Sequence, residues 1–152
     1  MNSHATRLPK EGEAAYFMHL HLGTVDLTTK RKHAHKEDHW IMQVEGKARP
    51  MLVIRSLPKS ERGRTWFWAL PITKSGTDGF GKIRDNVQYI GNCLNNDVES
   101  FVELEIHEYP ENLLHCGDGS SPLLTPCNVL AFRSAFSIVI HKVQGGRPPV
   151  RG

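Results

Sequence analysis

No stretch of this 152-residue chain approaches the ~20 consecutive apolar residues that a membrane-spanning helix needs. The first residues also lack the basic-then-apolar pattern of a secretory signal. Cysteine is scarce: Cys93, Cys116 and Cys127 show no metal-ligand spacing and leave an odd one over, so they read as reduced thiols. No internal repeat is visible. The glycines of SGTDGFGKI (Gly76, Gly79, Gly81) match neither a Walker motif nor a dinucleotide fingerprint, which leaves a flexible flap as their reading. These absences point to a cytoplasmic protein with no membrane partner and no cofactor. What remains is a chain long enough for one packed domain, 39% hydrophobic, with a net charge of +3 and nine histidines left uncounted. Mild basicity of this kind fits an acidic partner such as RNA, and many ordinary enzymes share it.

The stretch GKARPMLVIRSLPKSERGRTWFWALPITKS limits the fold most. Two apolar runs of strand length, MLVI and WFWAL, flank a polar hairpin loop. Ahead of them, WIMQVE reads as a short strand and residues 46–50 as a loop into MLVI. Pro50 keeps Arg49 extended, displaying its guanidinium from a stiff backbone. Residues 1–39 read as an N-terminal extension. Within it EGEAAYFMHLHL is either a short helix or a first strand with Phe17, His19 and His21 on one face, and TTKRKHAHKEDH reads as a charged linker. His33, His35, Asp38 and His39 come within one residue of a binuclear metallohydrolase signature. Lys36 and Glu37 spoil the spacing, so no metal site is assigned. SFVELEIHEY alternates as one half-buried strand with His107 and Tyr109 on the same side. Val129, Phe132, Phe136, Val139 and Ile140 recur at helical spacing behind Thr125-Pro126. Residues 40–143 are thus expected to form a mainly β domain with a C-terminal helix, a small partly open antiparallel barrel, and residues 144–152 a disordered tail.

Glu45-x-x-x-Arg49-Pro50 leading into MLVI, then LPITKS closing the next strand, resembles the PemK/MazF family of toxin endoribonucleases. The resemblance spans residues 40 to 114. It implies an SH3-like barrel, a homodimer, an antitoxin whose acidic disordered segment covers the site, and metal-independent cleavage of single-stranded RNA. In that chemistry the 2′-hydroxyl attacks the adjacent phosphate and the 5′-oxygen leaves. Arg49 would clamp the phosphate, since a guanidinium meets two phosphate oxygens at once, and Thr73 would donate to it. Glu45 or His107 would act as base, and Ser75, Lys74 and Trp68 would line the substrate path, Trp68 by stacking on a base. Two departures stand out. About 39 residues precede the first strand, and the segment around His107, Glu108 and Glu111 carries no arginine. Both leave a non-catalytic RNA- or protein-binding module on the same barrel as the alternative.

Overall fold

The computed structural model describes residues 8–58, 63–91, 99–115, 125–126, 129–144 and 150–151, so the three cysteines and part of the loop after Leu57 lie outside the described residues. Among them are eight strands: β1 Glu13–Lys32, β2 Trp40–Leu57, β3 Trp66–Thr73, β4 Val87–Gly91, β5 Ser100–Glu103, β6 His107–Pro110, β7 Thr125–Pro126 and β8 Val150–Arg151. A 3-10 turn, Glu111–Leu113, follows β6, and the helix α1 is Val129–Gln144. The sheet runs β4-β5-β3-β2-β1-β7, with β6 also on β3 and β8 parallel to β6. No helix among the described residues is long and apolar enough to cross a membrane.

Strand β3 organises the sheet. One side of it carries β2; the other carries β6 along Trp66–Ala69 and β5 along Ile72–Thr73. Beyond β6 the chain curls back, so that Leu114 bridges Phe17 and the His115 N–H donates to the Tyr16 carbonyl at 2.9 Å. The result is a curled sheet whose ladder is not closed. Its concave side holds Ala15, Phe17, Met51, Val53, Phe67, Ala69 and Tyr109, all buried. Its convex side carries Leu52, Ile54, Leu70, Ile72 and Val102, capped by Ala135 and Val139 of α1. The strict alternation of MLVI between these two layers follows from the two-residue period of a strand covered on both faces.

Several sequence expectations are redrawn. Of the two forms open to EGEAAYFMHLHL, the strand is observed, and Ala14, Ala15 and Phe17 lie in the core rather than in an extension. The charged run continues β1 to Lys32 and then turns, with Asp38 in the left-handed region at φ 58°. Residues 46–50 are strand rather than loop, paired in register with Leu20 back to Tyr16. Pro50 is tolerated because β3 pairing stops at Met51, leaving no ladder bond for the missing N–H. The single strand expected over 100–109 is broken. Five residues of β3, from Ala69 to Thr73, face seven of its neighbour, from Phe101 to His107. The excess is even, so alternation survives the bulge. The helix starts at Val129, because Thr125–Pro126 are instead paired with Ala14 and Glu13. In the expected disordered tail, Val150–Arg151 pair with β6 and Gln144 ends α1, whereas residues 145–149 and 152 lie outside the described residues. The glycine-rich stretch is a folded turn: Thr77 bridges Ile83, and the Asp78 carboxylate accepts from the Phe80 and Lys82 N–H groups at 2.8 and 3.0 Å.

Candidate functional site

At one end of the concave layer, polar side chains replace apolar ones. Tyr109 is the transition. Its ring stacks on Phe17, with centroids 5.1 Å apart, and its hydroxyl lies 2.9 Å from His19 Nδ1. The His107 ring lies near parallel to Tyr109, at 6.3 Å and 11°, and edge-on to His19 at 6.1 Å. Arg49, paired with Phe17 across β1 and β2, shares this side and is half-buried. The strand period explains the grouping: on β1, Phe17 then His19; on β2, Met51 then Arg49; on β6, Tyr109 then His107. Curling of the sheet brings the three positions together.

The electrostatics follow from that grouping. Burial, then the Arg49 charge and His21, hold the His19 imidazole below its ordinary pKa. Burial also lowers His107; Glu105 and Glu103 oppose this, while His19 and Arg49 add to it. Burial raises the Tyr109 phenol, and Arg49 offsets part of that rise. Both imidazoles therefore resist protonation more than a free histidine, and the phenol resists ionisation. His107 Nδ1 is buried with no hydrogen-bond partner among the described residues. An imidazole beside a guanidinium can accept a proton and give it back as imidazolium, while the guanidinium stabilises an anion next to it.

The residues expected from the sequence fall into two groups. Arg49 and His107 are brought together. Thr73 lies two residues beyond Met51–Pro71, the last pair between β2 and β3, and pairs instead with Phe101 of β5; alternation puts it on the same side of β3 as Ala69. Its hydroxyl oxygen accepts from the Ser75 N–H at 3.0 Å, leaving the O–H to donate. Lys74 and Ser75 follow it, exposed. Glu45 sits elsewhere. It pairs with His21, is exposed, and stands four strand residues, ~13 Å, from Arg49. Trp68 lies on the convex side, where its indole N–H donates to the Glu108 carboxylate at 3.1 Å and Arg55 covers the ring at 5.5 Å. His33 Nδ1 accepts from the His35 and Lys36 N–H groups at 3.0 and 3.1 Å. Among the described residues no group of three or more His, Cys, Asp or Glu is arranged to hold a metal ion.

Sequence reasoning did not single out His19 and Tyr109. Their signal was present in the period-two pattern, which puts Phe17 with His19 and His107 with Tyr109. What was missing was the adjacency of β1 and β6, which arises from closure through Leu114. Comparison with family models, curated proteins and solved structures finds no match.

Proposed function

We propose that the Arg49 end of the barrel cleaves single-stranded RNA by intramolecular transfer to the 2′-oxygen. One imidazole of the His19–His107 pair takes the 2′-hydroxyl proton as that oxygen attacks phosphorus. The imidazolium so formed returns that proton to the departing 5′-oxygen. The new P–O bond closes a 2′,3′-cyclic phosphate and the broken one leaves a 5′-hydroxyl, so atoms and protons balance. Arg49 and the Thr73 hydroxyl stabilise the phosphorane charge. Tyr109 fixes the His19 ring through its Nδ1. The observation carrying this reading is the pair of imidazole rings 6.1 Å apart with Arg49 on the same side of the sheet. Arg49-Pro50 and Pro71-x-Thr73 support the PemK/MazF resemblance, and with it come the SH3-like barrel, the antitoxin partner and the cytoplasmic setting as parts of the same proposal.

The test is incubation of the purified protein with single-stranded RNA in the presence of a chelator. Fragments ending in cyclic phosphate and 5′-hydroxyl are expected, lost in both His107→Ala and Arg49→Ala. The absence of arginine around His107 favours the second reading, a non-catalytic RNA-binding module on the same barrel. RNA that is bound but left intact would establish that reading instead.

A further inference from the structure

The curled sheet has a seam between β1 and β6. The two sides are joined where Leu114 bridges Phe17 and the His115 N–H meets the Tyr16 carbonyl. Past that point they part. Among the described residues, the edge of β1 away from β2 has no strand partner beyond Phe17. The edge of β6 away from β3 takes a strand only at His107 and Glu108. That strand is β8, parallel to β6, with Val150 in register with His107 and Arg151 with Glu108. A segment 43 positions downstream of His107 thus lies along the backbone that carries one of the two imidazoles of the candidate site.

We propose that β8 is a strap: a segment of this chain held by strand addition on the free edge of β6, where it obstructs the approach of RNA to His107 and is displaced when RNA binds. Three features suit an occupant that comes and goes. The first is short pairing. Strand addition draws its affinity from main-chain bonds, and β8 has two register positions on β6, against six between β2 and β3. The second is charge. Residues 99–115 carry five Glu and no Lys or Arg, whereas residues 144–152 carry Arg147 and Arg151 and no acid. Opposite charges of this kind select the segment and guide it to the edge. The third is intramolecular delivery. Only residues 145–149 separate Val150 from Gln144, the last residue of α1, so the segment is always near β6 at high effective concentration. Two of those residues, Pro148 and Pro149, have few backbone states to lose when the segment after them is held extended.

What the strap excludes rests on the RNA reading, and the test keeps the two apart. Val150→Gly in the full chain leaves the charge unchanged and lowers strand propensity. The variant should bind a single-stranded 2′-deoxy oligonucleotide about fivefold tighter than wild type, the factor set by a strap closed about four-fifths of the time. Its denaturation midpoint should stay nearly unchanged, and a peptide copying residues 147–151, added in excess, should reverse the gain. Equal or weaker oligonucleotide binding by the variant would overturn the strap. So would a clearly lowered midpoint, which would make β8 a fixed part of the barrel. If neither protein binds the oligonucleotide, the RNA reading fails and NMR of the same two proteins decides whether the edge of β6 is a docking site. Val150→Gly should then shift the His107 and Glu108 amides, and the peptide should return them. Amides that ignore both the substitution and the peptide would overturn the inference.

Discussion

The β1–β2 hairpin has two halves built alike and used differently. In the inner half, Ala14, Ala15 and Phe17 face Leu52, Met51 and Arg49, and Ala14, Ala15, Phe17, Met51 and Leu52 are fully buried. In the outer half, strand pairing continues while Leu22, Leu27, Trp40 and Ile41 stay open to solvent. The backbone pattern is shared, so pairing alone does not decide which half is stable. The difference lies in what covers the strands: the inner half has β3, β6 and α1 around it, the outer half has only itself. At the junction of the two sit Arg49 and His19, the His19 imidazole buried enough for a lowered pKa.

Substitutions should separate the halves by magnitude. Phe17→Ala removes a fully buried ring that contacts Phe67 and Tyr109, and should cost about 3–5 kcal/mol in chemical denaturation. A loss below about 1 kcal/mol would mean the concave layer is not a packed core. At the junction, Arg49→Ala should lower RNA cleavage by about 10²–10³, roughly 2–4 kcal/mol of transition-state stabilisation, while leaving the denaturation midpoint nearly unchanged. Just beyond the end of β3, Gly76→Ala would place its Cβ against the Phe101 ring and should cost about 1–3 kcal/mol by overpacking. In the outer half, Leu22→Ala should change monomer stability by about 0.5 kcal/mol or less when measured in dilute solution.

The junction should also respond to pH in a way neither half does. His19 and His107 have folded pKa values below the unfolded value of about 6.5. Between the folded and unfolded values the unfolded chain binds more protons, so stability is fully present above pH ~6.5 and falls as pH drops below it. Denaturation midpoints should decline on acidification through that window, and His107→Gln should shallow the slope.

How much of this was legible in the sequence follows the same division. Short-range features came through: the two-residue period of MLVI and SFVELEIHEY, the helical recurrence of Phe132, Phe136 and Val139, and the display of Arg49 by Pro50. Features set by tertiary pairing did not. Residues 46–50 look like a loop because Gly and Pro punctuate it, yet pairing with β1 holds it extended. Trp68 looks like a stacking platform, but β3 turns it to the convex layer, against Glu108 and Arg55. Glu45 and Arg49 are close in sequence and, on one extended strand, far apart in space. His19 and His107 are 88 positions apart, and only barrel curvature makes them neighbours.

The most direct test of the junction is an NMR titration of the His19 and His107 imidazoles, with and without a 2′-deoxy oligonucleotide that binds but has no attacking hydroxyl. Both should titrate below 6.5 in the free protein, and both should move upward together when the phosphates bind beside Arg49. Imidazoles that titrate at the ordinary value, or that ignore the oligonucleotide while it binds, would contradict a shared anion site at the end of the barrel.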